Sequence, residues 1–240
     1  EPRLRPDGSP VTRILFFPAK DCEIIDTWHS IGLRGTGSHD YAVNDIFVPA
    51  TRSLSFREPP AEPGPLYAMP TIALFGTGLA AVSLGIARHA IDILLDLAQA
   101  RATGRSRGGA LREDATVQAN VGRAEALLGA GRAFLYETLE GAWQVVCDGQ
   151  ELSLAQRGKL WLASTQAATA SKQATELMFS AGSSASPYAA SGLERCVRDI
   201  HAAAQHVCVN PGNYHMAGQA FLGLDMRASM LLFADDRSTP

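Results

Sequence analysis

The sequence has 240 residues, of which 46% are apolar, as expected for a packed globular protein of one large or two modest domains. Its net charge is −3, from 21 basic and 24 acidic residues, so neither nucleic acid nor an anionic membrane surface is an expected partner. Four scattered cysteines without CxxC spacing predict reduced thiols in a cytoplasmic protein and disfavour a disulfide framework.

The most apolar stretch, residues 69–97, is long enough to raise the question of a membrane span. It carries Arg88, His89, Asp92 and Asp96, and such charges argue against a span. We therefore expect a soluble helix that is buried on much of its surface. The first residue is Glu rather than Met and no segment resembles a signal peptide, so we expect a fragment or a processed form.

Residues 1–57 have the pattern of strands and turns. β-Branched and aromatic residues at 11–17 predict one strand, and alternation over 41–48 predicts a second, half-buried one. Asn44-Asp45 interrupts this alternation and predicts a turn or bulge. The loop before it contains three glycines, which permit positive φ and close backbone approach: Gly32, Gly35 and Gly37.

Residues 58–70 contain five prolines and predict a linker. The pattern then becomes helical, with a first stripe at Leu79, Val82, Ile86, Ala90, Ile93 and Leu97. A second helix is predicted to start near Asp114, with an apolar stripe from Val117 to Val146. A third is predicted to start at Ser153, with an alanine stripe that allows close approach of a neighbouring backbone: Ala163, Ala167, Ala170 and Ala174.

A loop at 181–192, rich in Ser, Ala, Gly and Pro, leads to a fourth helix that is predicted over 193–207. Pro211 predicts the start of a short fifth helix, because proline is favoured in a first turn. The first two helices are about 30 residues long, or ~45 Å. Helices of this length bury apolar stripes on more than one side, so we expect contacts between subunits.

Long helices joined by short loops predict an up-and-down four-helix bundle. The expected fold class is α+β, mainly α, with a partial antiparallel β-domain followed by this bundle. We expect three regions: a β-domain portion over 1–57, a linker over 58–70 and the helical bundle over 71–240.

Two parts of the sequence contain candidate functional residues, and the first is DTWHSIGLRGTGSHD at residues 26–40. Trp28 suits either the core of a β-sandwich or a wall against a flat aromatic cofactor. Thr36 and Ser38 flank Gly37. Their hydroxyls suit either local turn hydrogen bonds or the polar edge of a cofactor.

The second part is RDIHAAAQHV at residues 198–207. An imidazole titrates near neutral pH, so His206 is a candidate acid/base, although a buried helical histidine is an open alternative. His201 is the fallback, and at 100° per residue it does not share a helix face with His206. The Arg-Asp pair at the start of the string is predicted to be a structural ion pair. No CxxC or HExxH spacing is present, so no metal site is expected.

Residues 26–49 and 194–224 together resemble the acyl-CoA dehydrogenase superfamily, which binds a flavin between a β-domain and a four-helix bundle. The strings DTW and GTGS resemble its branch of reduced-flavin-dependent, two-component monooxygenases. In the dehydrogenases a catalytic glutamate follows the Arg-Asp pair by seven residues. Here that place falls on or beside Val207, which cannot accept a proton. The resemblance lacks the family's N-terminal helical domain and the first half of its β-domain.

The resemblance implies roles for several residues. In the monooxygenase branch the residue matching Trp28 packs near the isoalloxazine, and a histidine matching His206 faces the reactive region of the flavin. Ala181 and Gly182 stand where the dehydrogenases have a glycine pair that contacts flavin across a subunit interface. The serine- and glycine-rich loop around them is otherwise an ordinary loop.

The basic run at residues 100–109 implies the type of cofactor. An arginine matching Arg101 contacts the flavin phosphate in the family, although such runs are otherwise simply solvated. Gly104 replaces a phenylalanine that the dehydrogenases usually have. This departure weakens an FAD site and favours FMN, with FAD as the alternative.

The resemblance implies the oxygenase component of a flavin-dependent monooxygenase, which hydroxylates an aromatic or heteroaromatic substrate with reduced flavin and O2. A separate flavin reductase, a homotetramer and a cytoplasmic location are expected. Two alternatives stay open: an acyl-CoA dehydrogenase with an atypical base, and a non-catalytic bundle fragment.

Overall fold

The computed structural model describes residues 13–55, 58, 60–100 and 111–224. Within these residues, four short strands precede six α-helices. The strands are β1 (Ile14–Leu15), β2 (Glu23–Ile25), β3 (Asp40–Ala42) and β4 (Ser53–Leu54). The helices are α1 (Pro65–Ala68), α2 (Thr71–Ala100), α3 (Ala115–Cys147), α4 (Leu154–Ala181), α5 (Leu193–Ala203) and α6 (Asn213–Phe221). This order confirms the predicted class, mainly helical with a small antiparallel β portion.

The strands form two antiparallel pairs. β1 pairs with β4, with Ile14 opposite Leu54, and β2 pairs with β3, with Ile24 opposite Tyr41. The strand expected over 41–48 therefore covers only its first two residues. The predicted turn that ends it is confirmed, since Asp45 has a φ of 50°. Residues 46–48 pair with no other strand in the described part of the chain, so their alternation does not produce a ladder.

The linker expected over 58–70 is not wholly irregular. Residues 65–68 form α1, a single helical turn with Pro65 in its first turn. Proline suits this place because its missing N–H would have no partner in the first turn of a helix.

Helix α4 is the centre of the bundle and packs against α2, α3, α5 and α6. Its predicted alanine stripe is confirmed, with all four side chains at most 1% exposed. Gly131 on α3 faces this stripe, and a Cβ on it would be 3.3 Å from the Cα of Ala167. Small residues on both helices therefore bring α3 and α4 close together.

The predicted starts of α3 and α4 are confirmed. Asp114 accepts hydrogen bonds from the N–H groups of Thr116 and Val117. Ser153 forms a capping box with Gln156 at the start of α4. Both arrangements satisfy N–H groups that a helix leaves unpaired at its first turn.

The buried stripe of α2 is offset from the predicted one. Of the predicted stripe, Ala90 is completely buried and Ile86, Ile93 and Leu97 are partly buried against the core, but Val82 is 48% exposed. Ala80, Ala87, Ile91 and Leu94, which lie beside that stripe, are completely buried. Because α2 is apolar on several sides, periodicity alone does not select the face that packs. By length and composition α2 is also apolar enough to cross a membrane, but it packs as a bundle helix against α3, α4 and α5.

Helix α5 ends four residues earlier than predicted, at Ala203, and turns connect it to α6. The Ala204 N–H still bonds to the Ile200 carbonyl, but the next N–H groups bond back by only three residues. The short helix predicted after Pro211 is confirmed as α6, which begins at Asn213.

Candidate active site

A single hydrogen-bonded loop contains three of the predicted flavin contacts. At its centre the Leu33 carbonyl accepts hydrogen bonds from Trp28 Nε1 at 3.1 Å and from Thr36 Oγ1 at 2.9 Å. The hydroxyls of Thr36 and Ser38 are 3.1 Å apart. Trp28 is half-buried, whereas Thr36 and Ser38 are exposed. The loop thus fixes the indole ring and exposes two neighbouring hydroxyls.

The backbone of Leu33 is left-handed, with a φ of 52°. This conformation costs about 1–2 kcal/mol in a residue with a side chain, and it persists where the surrounding structure holds it. The Leu33 N–H donates to Asp199 Oδ1 on α5 at 2.7 Å. A hydrogen bond to a carboxylate is stronger than one between neutral groups, so α5 stabilises the shape of the loop.

Two more contacts fix the loop on α5. Arg198 Nη1 donates to the Ile31 carbonyl at 2.9 Å. A Cβ on Gly32 would lie 2.0 Å from the Arg198 carbonyl oxygen, so no side chain fits there. The close approach expected of the loop glycines is thus confirmed at Gly32. These contacts join the two candidate parts of the sequence in space.

The ion pair expected between Arg198 and Asp199 is not among the described ones. Arg198 instead bonds the carboxylate of Glu194, one turn earlier, at 2.7 and 3.2 Å. Residues four apart share a helix face, whereas adjacent residues do not. The hydrogen bond from Arg198 lowers the pKa of Glu194 below its ordinary value. The pair helps to orient the guanidinium that contacts the loop.

His206 lies on the turn after α5, outside the helix. Its side chain is exposed, and its Nδ1 accepts a hydrogen bond from the Cys208 backbone N–H at 3.2 Å. A neutral imidazole whose Nδ1 accepts carries its proton on Nε2. The alternative of a buried helical histidine is therefore wrong. Val207, which follows His206 in the same turn, is 47% exposed.

His201, the fallback residue, has a different environment. Its Nε2 lies 2.9 Å from Glu176 Oε1 on α4. Lys172 lies 4.0 Å from the same carboxylate oxygen. The Nε2 atom of His201 is therefore occupied by a contact that joins α5 to α4.

Helix α5 also sets the separation between the loop and His206. The loop is bonded to Asp199, and seven residues later the chain reaches His206. Four of these residues rise ~1.5 Å each in the helix and three span at most ~3.6 Å each. The Cα atoms of Asp199 and His206 are therefore at most about 17 Å apart.

The structure reveals a cationic cleft that the sequence patterns did not indicate. The cleft has a volume of about 360 Å³ and lies between the loop and α5. Its polar lining consists of three arginines, one threonine and one carboxylate: Arg34, Arg195, Arg198, Thr36 and Asp199. In the described part of the chain, neither Arg34 nor Arg195 has an acidic partner within 4.0 Å. Because a guanidinium binds phosphate oxygens in pairs, this cleft fits the phosphate end of a flavin. The signal was spatial, since the two arginines are 161 positions apart.

The remaining predicted flavin contacts lie elsewhere. Ala181 is 5% exposed, and Gly182 ends α4, where a Cβ would lie 2.8 Å from Leu193 Cδ1. These positions hold the junction of α4 and α5. Arg101 lies outside the described residues.

Within residues 13–55, 60–100 and 111–224, no group of three His, Cys, Asp or Glu side chains is arranged to hold a metal ion. Burial also raises the pKa of the Cys208 thiol above its ordinary value. A thiolate, the form that binds metal, is thus disfavoured beside His206.

Comparisons with known proteins place the chain in a family. The family described as "Acyl-CoA dehydrogenase, C-terminal domain" matches residues 77–211, which is more than half of the 240 residues. Indole-3-acetate monooxygenase of Pseudomonas putida is 33% identical over 90% of this chain and 56% of its own length. The FADH(2)-dependent resorcinol hydroxylase, oxygenase component, of Rhizobium sp. is 29% identical over 91% of this chain and 58% of its own length.

Two solved structures agree with this match. 3-HSA hydroxylase from Rhodococcus sp. RHA1 has a TM-score of 0.82 at 25% identity and covers 93% of this chain and 60% of that one. XiaF from Streptomyces sp., in complex with FADH2 and glycerol, has a TM-score of 0.81 at 26% identity, over 93% of this chain and 59% of that one. The chain thus spans between half and two thirds of the length of these relatives. It belongs to the acyl-CoA dehydrogenase C-terminal domain family.

Proposed function

We propose that the chain is part of the oxygenase component of a flavin-dependent monooxygenase, which hydroxylates an aromatic or heteroaromatic substrate with reduced flavin and O2. The relatives named as monooxygenases and hydroxylases support this proposal. The observation that carries it is the exposed imidazole of His206, next to the apolar Val207. The resemblance implies the carboxylate of a dehydrogenase on or beside Val207, and this chain has neither Asp nor Glu there.

The proposed flavin site uses the loop on α5. Trp28 would pack on the ring system, and the hydroxyls of Thr36 and Ser38 would bond its polar edge. The cleft of Arg34 and Arg195 supports binding of a phosphate end next to Thr36. Arg101, Ala181 and Gly182 stay predicted contacts. FADH2 stands in the names of two relatives, so FAD competes with FMN as the cofactor.

His206 would act as the acid/base. Bound reduced flavin supplies the electrons that activate O2. The Nε2–H of His206 can donate a proton to an oxygen atom at the reacting centre. The same nitrogen can then take the proton of a phenolic hydroxyl.

The proposed assembly is a homotetramer that works with a separate flavin reductase in the cytoplasm. Large apolar side chains on the outside of α2 and α3 support contacts between subunits, with Phe75 53%, Tyr136 56% and Trp143 37% exposed. The words "oxygenase component" in a relative's name support a separate reductase. The division into a β portion over 1–57, a linker over 58–70 and a bundle over 71–240 is part of the same proposal.

The test supplies the full-length protein with chemically reduced FMN or FAD, O2 and an aromatic substrate such as indole-3-acetate or resorcinol. Hydroxylated product and hydrogen peroxide are measured by mass spectrometry and a peroxidase assay. His206→Gln should lower hydroxylation by ~10²-fold or more, the usual contribution of a general acid/base. Flavin binding should be unchanged.

His201→Gln is the matched control, because the same substitution removes the contact of His201 with Glu176 and leaves His206 in place. It should lower the melting temperature, whereas the rate of hydroxylation should stay close to that of the wild type. A parallel loss of flavin binding and hydroxylation in His206→Gln would mean that His206 is only structural. Bleaching of oxidised flavin by an acyl-CoA without oxygen would instead favour the dehydrogenase alternative.

A further inference from the structure

A buried amide connects the turn of His206 to the bundle. Asn213, the first residue of α6, is 2% exposed. Its Nδ2 donates to the Val207 carbonyl and to Thr165 Oγ1 on α4, each at 3.1 Å. A carbonyl oxygen can only accept, so the contact to Val207 requires an N–H donor. The amide thus ties the peptide group between Val207 and Cys208 to the central helix.

The rest of the turn is held by packing. Cys208 is 4% and Val209 1% exposed. A Cβ on Gly76 of α2 would lie 3.1 Å from the Cys208 carbonyl oxygen, so the turn also abuts α2. The His206 carbonyl accepts hydrogen bonds from the N–H groups of Val209 and Asn210 at 2.9 and 3.0 Å. The exposed imidazole of His206 therefore belongs to a turn whose next residues, Cys208 and Val209, are buried.

The same peptide group links Asn213 to the imidazole. The carbonyl of this peptide belongs to Val207 and accepts from Asn213, while its N–H belongs to Cys208 and donates to His206 Nδ1 at 3.2 Å. A peptide group is planar, so rotating its carbonyl away from Asn213 also rotates its N–H away from the imidazole. The Nδ1 contact is what holds the proton on Nε2.

We propose that Asn213 is a positioning residue for His206. Its amide fixes the plane of the 207–208 peptide, and this peptide fixes the ring with Nε2–H pointing outward. The inference rests on the proposed role of His206 as the acid/base in hydroxylation.

Asn213→Asp tests the inference because it keeps the size of the side chain but replaces the N–H donor with an acceptor that repels the Val207 carbonyl. Asn210 offers a matched control in the same turn. Its Oδ1 only accepts, from the Gly212 N–H at 2.8 Å, so Asn210→Asp keeps that contact. Both variants are assayed as the full-length protein with reduced flavin, O2 and indole-3-acetate.

In Asn213→Asp the kcat of hydroxylation should fall by about 10- to 100-fold, the usual effect of misplacing a catalytic group. The peroxide formed per reduced flavin should rise. The substrate KM should change by less than about threefold, because Asn213 is only 2% exposed and offers almost no surface to a ligand. Asn210→Asp should behave as the wild type. Equal kcat and equal peroxide release in both variants would overturn the inference.

A second readout does not depend on activity. The side-chain nitrogen resonances of 15N-labelled histidine report which ring nitrogen carries the proton, and the His206 signals are assigned by their loss in His206→Gln. The wild type and Asn210→Asp should show the Nε2–H form, and Asn213→Asp a mixture of forms. An unchanged His206 spectrum in Asn213→Asp would refute the positioning role. A changed spectrum in a protein that hydroxylates nothing would uphold the positioning and reject the proposed function.

If Asn213→Asp does not fold, Thr165 gives a milder test. Thr165→Val removes the hydroxyl that anchors Asn213 and keeps the shape, and Thr165→Ser keeps the hydroxyl. The valine variant should shift the His206 spectrum and raise peroxide release, and the serine variant should restore both. Wild-type behaviour of Thr165→Val would contradict the inference.

Discussion

The two histidines near α5 differ in which ring nitrogen their surroundings occupy. The Nε2 of His201 contacts Glu176, whereas the Nδ1 of His206 accepts a hydrogen bond from a backbone N–H of its own turn. Because the backbone contact of His206 uses Nδ1, its Nε2 is available to act on a substrate. The Nε2 of His201 is already in contact with Glu176. Both residues are histidines, so the difference between their ring contacts comes from the local backbone geometry.

The four cysteines should react at very different rates with iodoacetamide at pH 8. Cys196 and Cys208 are buried, and burial raises the pKa of both thiols. A raised thiol pKa means less thiolate at a given pH, and thiolate is the reactive form. Cys147 is exposed and should be modified at least about tenfold faster than either, as measured by peptide mass spectrometry.

Unfolded protein is the control for this experiment, because all four thiols should then react at similar rates. Rapid modification of Cys208 in the folded protein would show that the turn of His206 opens, which would contradict the burial of Cys208.

At the scale of elements, α4 depends on its capped start. Ser153→Ala removes the side-chain half of the capping box and should cost about 1 kcal/mol of stability. In a chain of this size that lowers Tm by about 2–4 °C, measurable by circular dichroism. Ser184→Ala, at an exposed position in the 3-10 turn Ser183–Ala185, is the control and should leave Tm unchanged. A similar fall in both would mean that the capping box contributes nothing.

The contact between α3 and α4 depends on Gly131. A Cβ there would be 3.3 Å from the Cα of Ala167 and 3.4 Å from the Cβ of Ala170. Gly131→Val should therefore destabilise the protein by about 1–3 kcal/mol through overpacking, as measured by denaturant unfolding.

Gly129 is two residues away on the same helix and has open space around it. Gly129→Val should stay within about 0.5 kcal/mol of the wild type, because valine has a slightly better helix propensity than glycine. Equal destabilisation by both substitutions would show that the helices are not in close contact at Gly131.

At the scale of the whole molecule, contacts of residues 31–33 with α5 hold the loop against the bundle. Gly32→Ala would push a Cβ into the Arg198 carbonyl oxygen, at 2.0 Å. The loop should then leave the helix, and exchange of the Leu33 amide hydrogen should accelerate by at least about tenfold, which corresponds to ~1.4 kcal/mol of local stability. Hydrogen exchange with mass spectrometry or NMR measures this change.

Gly35→Ala is the matched control in the same loop, since nothing lies within 4 Å of the added carbon. It should leave the Leu33 amide protected, and both variants should keep the helical circular dichroism of the bundle. Unchanged protection in Gly32→Ala would contradict the described contact of loop and helix.

Much of the fold was predictable because helix signals are local. The caps at Asp114 and Ser153 and the alanine stripe of α4 follow from residue chemistry within one turn or one face of a helix. The short strands were predicted poorly, because a ladder needs a partner and residues 46–48 have none among the described residues. The buried face of α2 was also predicted slightly off its true position, since apolar residues on several sides of this helix leave its periodicity ambiguous.

The candidate site follows the same division. The sequence alone determined that a Trp-Thr-Ser loop and an Arg-Asp-His string exist, and that no Asp or Glu stands on or beside Val207, the place of the dehydrogenase base that the resemblance implies. The tertiary structure decided that the loop is bonded to α5, that Arg34 and Arg195 share a cleft, and which ring nitrogen of His206 is free. Residue identity fixes the available chemistry, but contacts between residues more than 150 positions apart arise only when the chain packs.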